Sequence, residues 1–237
     1  MKKWLVFMMV LAVLALVGCH QEEAISAVAT TLPSVPTVAP TVPQPPTEVS
    51  PLTVEDFLIF EDSSSFREEK VELVMIHFTS AVMLDRENPY DYDLVRGIFV
   101  ENRLGIHYLI DRDGTIYCFL PESRAAWHAG KGNYGDEKYT DKMNQYSVGI
   151  ELMGIGSQED MSIYLHPEEY GQLRDDLIGF TDAQYAALAA LVQDICQRND
   201  LPAEREYIIG HQAYNPAKND PGELFDWDRL MGLLTGK

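Results

Sequence analysis

Three cysteines, Cys19, Cys118 and Cys196, are too few to staple a small fold. A fold of this chain must therefore rest on a hydrophobic core, with Cys118 and Cys196 as two lone buried thiols. Basic residues are also scarce. Eighteen Lys and Arg stand against 37 Asp and Glu, a formal charge of −19, and that surface would repel nucleic acid. No internal repeat is present, which excludes solenoids and arrays. No HExxH element is present, which excludes the metal sites built on one helix. The single long apolar run, Leu5 to Val17, is shorter than the roughly 20 residues a membrane helix needs.

That run is informative in another way. Lys2 and Lys3 precede it, and Gly18 and Cys19 end it, the pattern of a secretory signal. "LVGC" resembles the bacterial lipoprotein box, in which cleavage exposes a cysteine that is then acylated. The resemblance implies a signal peptide over 1–18, lipidation at Cys19, and an extracytoplasmic, membrane-anchored protein held to a lipid bilayer. Acyl chains contribute about 0.8 kcal/mol per buried methylene, enough for firm anchoring when several are attached. Residues 20–54 are rich in proline and threonine with no helical or strand period. They read as an extended, polyproline-like, disordered spacer. Residues 55–237 are mixed in composition and long enough for one domain with its own core.

Within that domain, "ELVMIHF" (72–78) reads as a buried strand. Residues 91–102 read as a short helix with Leu94 and Ile98 on one face. "GIHYLIDRDGTIYCFLP" reads as two strands joined through Asp113-Gly114. A loop spans about 129–145, an apolar strand 146–154, and a second loop about 155–180. Thr181 and Gln184 form a capping box ahead of a helix whose Tyr185, Leu188, Val192 and Ile195 share a core face. "YIIGH" (207–211) reads as a short strand, and Asp226 as the cap of a last helix through Leu234. Strands alternating with helices, plus a hairpin, predict an α/β fold: a mixed central sheet with helices packed on it.

Six histidines are present. His20 falls in the spacer and His166 in a polar loop, and His107, within an alternating strand, reads as structural. His77 and His211 fall at strand C-terminal ends, where α/β proteins collect their sites. A catalytic zinc needs three protein ligands and one open position. His77 and His211 could supply two, and Asp220 the third, from a loop stiffened by Pro216 and Pro221.

Five segments in order, "VMIHF", "HYLIDRDGTIY", "AWHAG", "NQYSVGIEL" and "GHQAYNPAKNDPG" with "FDW" after it, resemble the type 2 N-acetylmuramoyl-L-alanine amidases. The likeness covers about residues 71–228. It implies one zinc per chain on His77, His211 and Asp220, with the site at strand C-terminal ends. It implies Glu151 as general base and Lys218 as the cation at the developing oxyanion. It implies substrate-binding roles for Trp127, His128 and Asn144. The expected activity is cleavage of the amide between the lactyl group of N-acetylmuramic acid and L-alanine of the stem peptide, with peptidoglycan or muropeptides as partners and a monomer as the working unit. Some relatives carry a tyrosine before the His of the "HY" strand and a cysteine as third ligand. Ile106 and Asp220 stand at those positions here, which favours the branch of cytosolic recycling amidases and membrane-anchored lipoprotein amidases; the leader matches the latter. Two other readings are a wall-binding module without catalysis and a thiol hydrolase using Cys118 or Cys196.

Overall fold

The structure, a computed structural model, describes residues 53–54 and 60–236. The leader, Cys19, His20 and nearly all of the spacer lie outside the described residues. The strands are β1 (Thr53–Val54), β2 (Ser64–Phe66), β3 (Leu73–Thr79), β4 (Tyr108–Ile110), β5 (Ile116–Cys118), β6 (Arg124–Ala126), β7 (Ser147–Met153) and β8 (Ile208–Gly210). The helices are α1 (Phe60–Ser63), α2 (Tyr92–Asn102), α3 (Met143–Tyr146), α4 (Pro167–Tyr170), α5 (Asp182–Arg198), α6 (His211–Tyr214) and α7 (Trp227–Thr235).

Six strands form one mixed sheet in the order β1-β5-β4-β7-β3-β8. β4 and β5 are the antiparallel hairpin; β4, β7, β3 and β8 run parallel, and β1 runs parallel to β5. β2 and β6 make a separate two-stranded antiparallel sheet. This is the mixed α/β sheet that the alternation of strand and helix patterns predicts. β3 is paired on both sides, and its first four residues are buried, as its unbroken apolar run demands.

Alternation along β3 and β7 divides the sheet into two faces of different character. Val74, Ile76, Val148, Ile150 and Leu152 point into one core with Leu188, Leu191, Val192 and Ile195 of α5 and Leu230 of α7. Each such side chain contributes roughly 1.5–3 kcal/mol on burial. The other face carries Leu73, Met75 and His77 from β3 and Ser147, Gly149 and Glu151 from β7, in facing register. Leu73 and Met75 pack there with Ala129, Met143, Ile209 and Tyr214. On that face the apolar pattern stops, and polar groups take over toward the strand ends.

The capping box at Thr181 and Gln184 is present, and Tyr185, Leu188, Val192 and Ile195 are buried as their spacing predicts. Asp226 caps α7 by accepting from the Arg229 N–H. Four differences from the sequence reading stand out. β8 ends at Gly210, so His211 opens α6 instead of closing the strand. His107 lies just ahead of β4 rather than inside it. The 155–180 segment holds α4 and packs Ile155, Met161, Leu165, Leu173 and Leu177 with Val82 into a small core. The 129–145 loop runs into the start of α3. β2 and β6 carry too few residues to announce themselves by periodicity, and Thr53–Val54, at the end of the spacer segment, pairs with β5. Among the described residues, no helix is long and apolar enough to cross a membrane.

Candidate metal centre

His77 projects from β3 near its C-terminal end, and His211 follows β8, the strand paired with β3 on the other side from β7. Asp220 returns to them through the loop after α6. One ligand atom from each lies within 4.8 Å of the other two. Asp220 Oδ2 sits 2.6 Å from His77 Nδ1 and 3.1 Å from His211 Nδ1. The imidazole rings meet edge to face, 4.8 Å between centroids.

Two anchors return the Asp220 loop to this place. Tyr214, fully buried, packs between the sheet and Gly132, whose position leaves no room for a Cβ beside the Tyr214 carbonyl. Farther on, Asp160 Oδ2 accepts from the Ser157 N–H and hydroxyl and from the Glu223 N–H, while Asn219 Nδ2 donates to the Asp160 carbonyl. A Cβ at Gly222, where φ is +84°, would lie 2.5 Å from that carboxylate. The Asp-Pro-Gly turn is therefore shaped by a buried acid 60 residues earlier in the chain.

The hydrogen positions follow from the partners. The Ala129 carbonyl, 2.9 Å from His211 Nε2, can only accept, so Nε2 holds a proton, and in the neutral ring Nδ1 is then bare. Ser147 donates its hydroxyl proton to the Met143 carbonyl at 2.8 Å. His128 Nε2, 3.2 Å from Ser147 Oγ, must therefore be the donor of that pair. His128 Nδ1 is then an acceptor, and His77 Nε2 donates to it at 3.0 Å. In neutral rings, both Nδ1 lone pairs point at the carboxylate with no proton between them.

Charge reinforces this. Burial pushes the His77 imidazole down, against the pull of Asp220, so a second proton on it is disfavoured. Burial alone would raise Asp220, but its contacts with His211 and His77 outweigh that and hold it below the usual carboxylate range. An ionised carboxylate and two bare nitrogens make a site for a cation. Two imidazoles and one carboxylate are a donor set that suits zinc with a further position open.

Glu151 faces this group from β7, in register with His77. Its Oε2 is buried and has no hydrogen-bond partner. Burial, then the charge of Asp220, pushes its carboxyl well above the usual range; Lys218 opposes. An orphaned buried carboxyl is costly and unusual outside functional sites. Lys218 is exposed, two residues before Asp220, and lines a groove of about 520 Å³ with Gln212, Asn219, Ile163 and Glu223. Tyr164, half exposed, feels the charges of Asp220 and Glu151 and so borders the same site.

The structure thus gathers His77, His211, Asp220, Glu151 and His128 at one end of one sheet face. Trp127, 43% exposed, flanks His128, its backbone held by the Ser63 carbonyl. His128 and Asn144, expected at the substrate, both make hydrogen bonds within the protein and are partly exposed. Both ring nitrogens of His128 are taken by His77 and Ser147, and Asn144 Oδ1 accepts from the His128 and Ala129 N–H groups. Cys118 and Cys196 are free thiols, both pushed up by burial, and belong to the α5 side of the sheet, so neither is poised as a nucleophile. Ser147, Gly149 and Asp160 escaped the sequence reading.

The sequence profile of the N-acetylmuramoyl-L-alanine amidases matches residues 67–223, more than half of the chain. The chain is 35% identical over 134 residues to the 1,6-anhydro-N-acetylmuramyl-L-alanine amidase AmpD of Salmonella typhimurium, covering 56% of this chain and 58% of that protein. It is 27% identical over 170 residues to the N-acetylmuramoyl-L-alanine amidase AmiD of Escherichia coli, covering 68% of this chain and 52% of that one. It spans little more than half the length of these curated relatives. A crystal structure of AmpD superposes with a TM-score of 0.55 at 26% identity, covering 79% of this chain and 96% of the other. The Escherichia coli AmiD, solved with anhydro-N-acetylmuramic acid-L-Ala-D-gamma-Glu-L-Lys, gives 0.51 at 25% identity, covering 71% and 60%. By fold, by motif and by profile, the chain belongs to the N-acetylmuramoyl-L-alanine amidase family.

Proposed function

We propose that this protein is a zinc-dependent peptidoglycan amidase that cuts the amide between the lactyl group of N-acetylmuramic acid and L-alanine of the stem peptide. The observation that carries the reading is the convergence of two imidazole Nδ1 atoms on one Asp220 carboxylate oxygen, beside a buried Glu151 oxygen with no hydrogen-bond partner. The solved complex of AmiD with an anhydromuropeptide supports the substrate class.

His77, His211 and Asp220 would hold the ion. Bound there, zinc supplies Lewis acidity, which makes amide hydrolysis accessible near neutral pH. Glu151 removes a proton from the attacking water and hands it to the leaving amine of L-alanine, a role suited to a carboxyl whose proton affinity burial has raised. Lys218 offers its ammonium to the carbonyl oxygen as negative charge grows there. Trp127 presents an exposed aromatic face to the sugar and lactyl group. All of these residues come from one chain, so a monomer suffices.

The leader, read as that of a lipoprotein, would put the reaction outside the cytoplasm. Cys19, acylated, would tether the domain to a bilayer through the 20–54 spacer. Cys19→Ser moves the protein from the membrane to the soluble fraction if this is right, and leaves it membrane-bound if another segment anchors it.

The experiment for the activity is mass spectrometry of products from defined muropeptides, with and without chelator. Release of intact stem peptide with L-alanine at its amino end, lost on chelation, is the expected result. Binding to peptidoglycan without cleavage by zinc-loaded protein would make this a recognition module instead.

A further inference from the structure

Three alternate residues on one face of β7 do different work toward the same atom. Glu151 faces His77 directly. Ser147, completely buried, fixes the His128 ring from behind. Gly149, between them, leaves the space the ring occupies: a Cβ there would lie 2.6 Å from His128 Cγ and 2.7 Å from Nδ1. His128 in turn meets His77 edge to face, 5.1 Å between centroids.

The direction of every hydrogen bond in this chain is set at its far end. The Met143 carbonyl accepts from Ser147; Ser147 Oγ accepts from His128 Nε2; His128 Nδ1 accepts from His77 Nε2. A neutral imidazole carries one proton, so a proton fixed on Nε2 leaves Nδ1 bare. Without an acceptor on its Nε2 side, His77 would be free to protonate Nδ1 instead and donate to Asp220 at 2.6 Å. That arrangement closes the site against a cation with an internal hydrogen bond.

We propose that His128 and Ser147 are positioning residues that lock His77 in the Nε2-protonated tautomer, keeping Nδ1 and Asp220 open for the metal. The inference rests on the zinc reading above and assigns His128 a task other than touching substrate. It also explains why β7 carries serine and glycine, with Glu151, on the face opposite its apolar Val148, Ile150 and Leu152.

Two measurements on the full-length chain, purified in detergent, decide it. The first is zinc affinity by competition with a chromophoric chelator. His128→Phe, which keeps the ring and loses the acceptor, should weaken zinc binding about 10- to 100-fold, in line with other residues that orient a ligand histidine. Ser147→Ala should weaken it less, and Ser147→Thr, which keeps the hydroxyl, should restore it. The second is nitrogen-15 NMR of the imidazoles in zinc-free wild-type protein, which needs no substitution and so stands even where a variant misfolds. It should show His77 protonated on Nε2. A His77 protonated on Nδ1, or His128→Phe protein binding zinc as tightly as wild type, overturns the inference while leaving the amidase reading intact. Wild-type protein that binds no zinc overturns both.

Discussion

His107, just ahead of β4, and His77, on β3, flank β7 from opposite sides, both buried, and their rings are satisfied in opposite ways. His107 accepts from the Gly149 N–H at Nδ1 and donates from Nε2 to the Arg124 carbonyl, each at 3.0 Å. Burial, with Arg67 alongside, pushes its pKa down to about 4, so the ring is neutral and complete. Arg67 beside it is equally complete, with its guanidinium donating to the carbonyls of Glu122, Arg124 and Ser147. His77 has one proper partner, His128, and one that a neutral ring cannot serve, Asp220. A buried histidine with both nitrogens matched is part of the scaffold. Bare nitrogens converging on an ionised carboxylate are incomplete until a cation arrives.

The comparison breaks first at the ligands. His211→Ala or Asp220→Ala should abolish stoichiometric zinc, read by elemental mass spectrometry. Loss of several kcal/mol of metal assistance should lower hydrolysis by about 1,000-fold or more. Retained zinc and activity in either variant would mean that the convergence is structural after all. Glu151→Gln should lower kcat by about 100- to 10,000-fold with zinc content unchanged. The same change should leave zinc-free protein at least as stable in thermal melts, since it replaces a buried carboxyl that has no partner for Oε2. Destabilisation with activity preserved would put Glu151 in the scaffold class with His107.

His107 sharpens the other side. Its folded pKa, about 4, lies below its ordinary 6.5. Between those values the unfolded chain binds a proton that the folded chain refuses. The stability held in the neutral ring is therefore complete above pH 6.5 and is lost as pH falls toward 4, at up to about 1.4 kcal/mol per pH unit. Urea melts from pH 7 to 4 should show this slope reduced in His107→Gln relative to wild type. Equal slopes would show that the ring is not held neutral. The smallest effect belongs to Trp127. Trp127→Ala should raise KM up to about tenfold with little change in kcat, the size of one lost aromatic contact. A fall in kcat alone would place it in the chemistry instead of the binding face.

Local chemistry was legible in the sequence. The Thr181 and Gln184 cap, the Asp113-Gly114 hairpin and the α5 core face each depend on residues within a few positions, and the structure holds all three. The ligand set depended on motif order as well as spacing, since His77 and Asp220 lie 143 residues apart. β7 was placed correctly as an apolar strand, yet its alternation of Ser147, Gly149 and Glu151 against Val148, Ile150 and Leu152 already carried the two-faced design. Ser147, Asp160 and Arg67 were invisible for a physical reason. Ser147 meets His128 on a separate loop, Asp160 meets Glu223 63 residues on, and Arg67 meets Ser147 80 residues on, and nothing in their own neighbourhoods points to those partners.

Anomalous diffraction at the zinc edge, from a crystal soaked in the ion, tests the central claim most directly. The account predicts one peak per chain, bonded to Nδ1 of His77, Nδ1 of His211 and a carboxylate oxygen of Asp220, with Glu151 left uncoordinated. A peak at any other cluster, or ligation of His77 through Nε2, would contradict it.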